Sequence, residues 1–243
     1  MQVAPRGNTK LSLEALRPPD AQGFPSCILV SFVVEDFAAR TTQHQTLYHR
    51  PMEDLSAYIL AGGKSTRMGT DKAFVLLGGR TLLSRMLDLA RQLTSNVHII
   101  GDPTKFAPFA PTIEDIFPGC GPLGGIHAAL RSSRTDLNVI LAVDVPFVSL
   151  ALLDYITSRA TSFDASITVA RAAGGFQPLC AVYRRSFADA AENALRAGHY
   201  KIDALFTPAS TQVIVEAELE ASGFSPRIFR NLNTPEELAE AHE

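Results

Sequence analysis

From residue 57 onward, short apolar runs alternate with segments of helical period. Ala57 to Ala61 predicts a strand, and Leu82, Met86, Leu89 and Leu93 recur at the spacing of one helix face, predicting a helix over 82–93. A second strand is predicted over Val97 to Ile100, closed by Gly101-Asp102-Pro103. Ile113-Glu114-Asp115 comes next, then a turn-rich Pro118-Gly119-Cys120-Gly121-Pro122 and a helix from about Leu123 to Arg131. The run Val139 to Val143 is continuously apolar and rich in β-branched residues, which suits a strand covered on both faces of a parallel sheet. Strands at Ala165 to Ala170, Leu179 to Tyr183 and Gln212 to Val215 alternate with helices near Leu150 to Arg159 and Ser186 to Ala197. This order predicts an α/β domain with a largely parallel central sheet flanked by helices.

The first fifty residues read differently. Pro18-Pro19, Gly23, Pro25 and Pro51 punctuate a stretch with one compact apolar run and no sustained helical period, so residues 1–51 are expected to be an N-terminal extension and 52–243 the domain proper. With 243 residues, 46% of them hydrophobic, the chain suffices for a single generous domain rather than two. A formal charge of -3 and a pI near 6.1 give no general basic surface for nucleic acid, so any anion site must be local. Cys27, Cys120 and Cys180 are far apart and lack C-x-x-C spacing, which argues against a disulfide framework or a zinc site and for a reducing cytoplasm. His44 and His49 have no metal-ligand spacing either. The apolar run Cys27 to Val34 is too short to span a bilayer and lacks a signal-peptide layout, so a soluble protein without membrane attachment is expected.

The chemistry is concentrated after the first strand, in Leu60-Ala61-Gly62-Gly63-Lys64-Ser65-Thr66-Arg67-Met68-Gly69-Thr70-Asp71-Lys72-Ala73. Glycines let main-chain amides approach an anion, and the cations can neutralise a polyphosphate. The dinucleotide fingerprint fails because Gly62 and Gly63 are adjacent, and a P-loop would need its first glycine at Tyr58. Ligands in open α/β sheets sit outside the carboxyl ends of the strands. On that edge Asp144 emerges from the most apolar run and requires a partner to offset its desolvation; a magnesium ion bridging nucleotide phosphates is one, a helix cap or salt bridge another. Gly121-Pro122-Leu123-Gly124-Gly125 opens a helix and offers either free amides to an anion or simply close packing. Near the end, Thr234, Pro235 and Glu237 form a capping-box signal, which leaves the alternating Asn231 and Asn233 before it unexplained.

The loop pattern L-A-G-G-x-S-x-R-M-G-x-D-K closely resembles the nucleotidyltransferase signature of the molybdenum cofactor guanylyltransferases, the MobA family, and it fits at every specified position. The resemblance implies a single-domain, Rossmann-like nucleotidyltransferase fold and transfer of GMP from GTP to the terminal phosphate of molybdenum-molybdopterin. Carried over residue by residue, Leu60, Ala61 and Gly62 align with the wall contacting the guanine nucleotide, and Lys72 with the lysine that binds it. Gly63, Arg67 and Gly69 fall in the loop linked to triphosphate handling, Asp115 matches an acidic nucleotide contact, and Asp144-Val145-Pro146 matches the D-x-P segment carrying the Mg2+ ligand. Gly125 lies in the G-P-L-x-G segment, and Asn231 and Asn233 in an N-x-N-T-P segment beside the active site. Arg67, Lys72 and Asp144 are thereby the expected catalytic set, with Mg2+ as cofactor and cofactor-biosynthesis proteins or molybdoenzyme chaperones as partners. An asparagine found after the second strand in some members is missing, Gly101 and Asp102 standing there instead. Since members begin only a few residues before the first strand, Met52 is a candidate start, and residues 1–51 are read as a disordered extension or a misassigned start. A cytidylyltransferase using CTP is the competing enzyme, though its relatives tend to carry Leu-Ala-Ala-Gly where Leu60-Ala61-Gly62-Gly63 stands here. A non-catalytic nucleotide or pterin carrier is the third reading.

Overall fold

The computed structural model describes residues 54–62, 71–232 and 237–238. The expected extension 1–51, Gly63, Arg67, Gly69, Asn233 and the cap at Thr234 lie outside the described residues. In chain order the strands are β1 (Leu55–Leu60), β2 (Leu76–Leu77), β3 (Arg80–Thr81), β4 (Asn96–Ile100), β5 (Thr112–Ile113), β6 (Leu137–Ala142), β7 (Ile167–Ala172), β8 (Gly175–Arg184) and β9 (Thr211–Val215). The α-helices are α1 (Leu82–Leu93), α2 (Pro103–Phe106), α3 (Pro122–Ser132), α4 (Leu150–Ser162), α5 (Phe187–Arg196) and α6 (Glu216–Ala221).

A seven-stranded sheet in the order β5-β4-β1-β6-β8-β7-β9 organises the domain. Within it β1 pairs in parallel with β4 on one side and with β6, the middle strand, on the other. Both β1 and β6 are buried at all six positions, in keeping with sequences that are apolar except for Ser56 and Asn138. Side chains of β1 divide by the two-residue period: Leu55, Ala57 and Ile59 join a core with α1 and α4, while Tyr58 and Leu60 join a core with α3 and α5. Helix α1 forms where the apolar period predicts it; the Thr81 side chain accepts from the Ser84 amide at 3.1 Å, and Leu82, Leu83, Met86, Leu87, Ala90 and Leu93 face the core.

Within the seven-stranded sheet the alternation of strands and helices fails at one place. No helix separates β7 from β8; they form a hairpin, and β8 runs antiparallel to both β6 and β7. The two residues between the paired Ala172 and Gly175 are Ala173 (φ 52°) and Gly174 (φ 82°), the sign pattern of the tight turn whose twist suits a hairpin. Strand β8 starts earlier than the expected Leu179 and carries Pro178, which has no N–H to give. The β7–β8 register shifts just there, passing from Val169↔Ala181 to Arg171↔Phe176.

A Cβ at Gly174 would meet no atom within 4 Å, so a Gly174→Ala change isolates the backbone penalty of the left-handed conformation. The expected loss is about 1–2 kcal/mol of stability, read from urea unfolding midpoints with an unchanged slope.

Candidate nucleotide-binding site

The carboxyl ends of β1, β4 and β6 meet at one edge of the sheet. There the Ala61 and Gly62 amides both donate to the Ile100 carbonyl, at 3.1 and 3.3 Å, and the Val143 amide donates to the Leu60 carbonyl at 3.2 Å. Leu60, Ala61 and Gly62 therefore form a main-chain wall whose amides at Ala61 and Gly62 are already committed to the sheet. Gly62 lies back to back with Gly101: a Cβ on Gly62 would stand 3.7 Å from the Gly101 Cα. A Cβ on Gly101 would stand 2.9 Å from ring carbons of the buried Phe106. Phe106 thus accounts for the absence of an asparagine at Gly101, while the neighbouring Asp102 caps α2 by accepting from Thr104.

Past the loop, the chain returns through a single 3₁₀ turn, Lys72–Phe74. One oxygen of the Asp71 carboxylate accepts from the Ala73 amide at 3.1 Å, and the other is 2.7 Å from the Lys105 ammonium on α2. The Phe74 ring stacks on Phe106 with centroids 5.9 Å apart. These contacts fix the start of the turn against the end of β4, and they aim Lys72 at Asp144: Nζ to Oδ2 is 3.0 Å, with each side chain 21% exposed. The Asp144 carbonyl in turn accepts from the Leu232 amide at 2.9 Å, and the Leu232 side chain is fully buried. That bond brings Asn231, an exposed residue, to the neighbourhood of Asp144.

Asp115 follows β5 at the same edge. Its Oδ1 is buried without a hydrogen-bond partner, and burial pushes the carboxyl above its ordinary range while the charge of His127 works the other way. Gly124 permits this arrangement, since a Cβ there would stand 2.9 Å from the Phe117 carbonyl and 3.8 Å from Asp115 Oδ1. Gly125 faces elsewhere: a Cβ would press on Leu60 at 3.2 Å and Ile100 at 3.4 Å, so close packing of α3 on β1 and β4 explains the missing side chain. His127 is buried, with its ring edge-on to Phe117 and its Nε2 3.3 Å from Glu192. Arg196, Arg131 and His127 together hold the Glu192 carboxyl down at about 2.

Residues 57–212 match the family model of the MobA-like NTP transferase domain. The chain belongs to this family. A molybdenum cofactor guanylyltransferase of Desulfosudis oleivorans is 33% identical over 193 residues, spanning 78% of this chain and 95% of that one. One from Syntrophotalea carbinolica is 33% identical over 188 residues, spanning 75% and 88%. Among solved structures, molybdopterin-guanine dinucleotide biosynthesis protein A from Archaeoglobus fulgidus superposes with a TM-score of 0.68 at 26% identity, over 77% of this chain and 96% of that one.

In this MobA-like scaffold the described residues bring Leu60, Ala61, Gly62, Lys72, Asp115, Asp144 and Asn231 to the carboxyl edge of the sheet. Among the described residues no three of His, Cys, Asp and Glu cluster closely enough to hold a metal by themselves. A lone carboxylate suits Mg2+ all the same, because that ion keeps its waters and takes further oxygens from substrate phosphates. Asp144 Oδ2 already meets one positive charge, the Lys72 ammonium. Asp71 and Lys105 are absent from the sequence-based set of site residues. Asp71 could have been found as an N-cap directly before Lys72, whereas Lys105 carries no local signal.

Lys105 holds the Asp71 carboxylate at the start of the turn that delivers Lys72, so Lys105→Met is expected to raise the nucleoside triphosphate KM by about two- to fivefold. Pyrophosphate release against nucleotide concentration measures this, and Lys105→Arg should restore the value. Asp115→Asn should raise the melting temperature of the free protein at pH 7. A carboxyl raised by burial favours folding while protonated and loses that contribution as pH rises through its folded value, so the gain should shrink toward the ordinary carboxylate range. Calorimetry at pH 7 and pH 4 compares the two.

Proposed function

We propose that the protein transfers GMP from GTP to the terminal phosphate of molybdenum-molybdopterin, forming the guanine dinucleotide cofactor and releasing pyrophosphate. The observation that carries this reading is the Lys72–Asp144 pair, at the carboxyl edge of a MobA-like domain whose relatives are named guanylyltransferases.

An oxygen of the pterin phosphate attacks the α-phosphorus of GTP, a new P–O bond forms, and the bond to the β-phosphate oxygen breaks with pyrophosphate as the leaving group. No side-chain nucleophile is required, so the work left to the chain is alignment and charge stabilisation. Lys72 neutralises phosphate charge, with Arg67, Gly63 and Gly69 supplying the loop around the triphosphate. Leu60, Ala61 and Gly62 wall the nucleotide, Asp115 contacts it, and Asn231 and Asn233 border the reacting phosphates; Gly125 supports the wall from behind. Asp144 would hold Mg2+, which when bound offsets charge on the phosphates.

Residues 52–243 form the catalytic domain in this reading, and residues 1–51 are an extension outside it. A cytoplasmic site of action accords with a GTP-consuming reaction. Among the described residues no helix is long and apolar enough to cross a membrane. Proteins that supply the pterin or chaperone the acceptor molybdoenzyme are the partners implied.

Incubation with Mg2+, molybdenum-molybdopterin and either GTP or CTP tests the assignment. Pyrophosphate release with GTP is expected; release with CTP alone would replace it with cytidylyl transfer, and release with neither would leave a carrier. Asp144→Ala should lower kcat at least about a hundredfold with an unchanged circular dichroism spectrum.

A further inference from the structure

The Lys72–Asp144 contact raises a question of order. An ammonium 3.0 Å from Asp144 Oδ2 already meets the charge of the carboxylate that would hold the metal, and the pair is only 21% exposed on each side. Metal binding to the bare protein must therefore displace the ammonium or place two cations side by side at one carboxylate. Either route is unfavourable, and Mg2+ is in addition reluctant to shed water for a single ligand. A nucleoside triphosphate changes both conditions: it gives the displaced ammonium an anion to meet, and it gives the metal phosphate oxygens.

Local structure favours movement of the side chain alone. Asp71 and Lys105 anchor the turn, and the Lys72 carbonyl accepts from the Val75 amide at 3.1 Å, so the backbone from which the side chain springs is fixed. Above it stands a flexible four-carbon stem ending in a compact point charge, able to reach either anion without rearranging the sheet.

We propose that Lys72 is the placeholder for the metal: its ammonium sits on Asp144 in the free protein and passes to the triphosphate as the divalent cation arrives. Metal and nucleotide then bind with positive coupling, and by linkage each strengthens the other equally. The inference rests on the reading of Asp144 as the metal ligand.

Mn2+ binding, followed by the electron paramagnetic resonance of the free ion and corrected for Mn2+ bound to nucleotide in solution, tests it. The full chain is compared with Lys72→Met and Lys72→Gln, with and without α,β-methylene-GTP. Without nucleotide, both variants should bind Mn2+ about tenfold more tightly than the unmodified protein, within the usual range of coupling between sites. Adding Asp144→Asn should erase that gain, and the nucleotide-dependent enhancement should be largest in the unmodified protein. Equal Mn2+ affinity of folded Lys72 variants and unmodified protein without nucleotide would overturn the exchange. Nucleotide-supported Mn2+ binding that requires Asp144 would at the same time leave the metal-ligand reading standing. Absence of any Asp144-dependent Mn2+ signal, with or without nucleotide, would overturn both.

Discussion

Burial of β1 and β6 on both faces is the constraint from which the remaining architecture follows. Neither strand has a solvent face on which to place a polar side chain, so both need helices above and below the sheet, and the chain's chemistry is displaced to the points where those strands stop. Asn138, the polar interruption in β6, is tolerated because its amide donates to the Asp136 and Tyr183 carbonyls and its oxygen accepts from Ser133. At the opposite end of β6, Asp144 finds its partner on a different segment.

That partner is held by a chain of short-range interactions rather than by one dominant contact. Asp102 caps α2, α2 presents Lys105 to Asp71 and Phe106 to Phe74, and Asp71 caps the turn that delivers Lys72. Each link is modest on its own in an exposed setting. Together they bind the far end of the glycine-rich loop to the carboxyl end of β4. Gly101 belongs to the same arrangement, since any side chain there would compete with the Phe106 ring for space.

The parts of the fold that were readable in advance are those with a strong period or a continuous apolar run. Helix α1 and strand β6 are of this kind. The β7–β8 hairpin escaped because its turn is Ala173-Gly174 rather than the usual asparagine or aspartate with glycine, and because Pro178 reads as the entry to a strand when it in fact lies inside one, at a register shift. Lys105 escaped for a different reason: it meets Asp71 only through the tertiary path, and nothing within a few residues of it signals that meeting. Gly125 shows the opposite difficulty, a glycine in a functional-looking motif whose surroundings are those of close packing.

The hydrogen bond from the Leu232 amide to the Asp144 carbonyl has a temporal consequence. A ribosome delivers β1, β6 and Asp144 well before it delivers Leu232, so β1, β4 and β6 can pair on a nascent chain whose carboxyl edge is still open. The residues that pair β1 with β4 and β6 are all made by residue 142, whereas the bond to Asp144 waits for Leu232. Completion of that edge is in this sense a late event of synthesis, separable from the earlier pairing of the central strands.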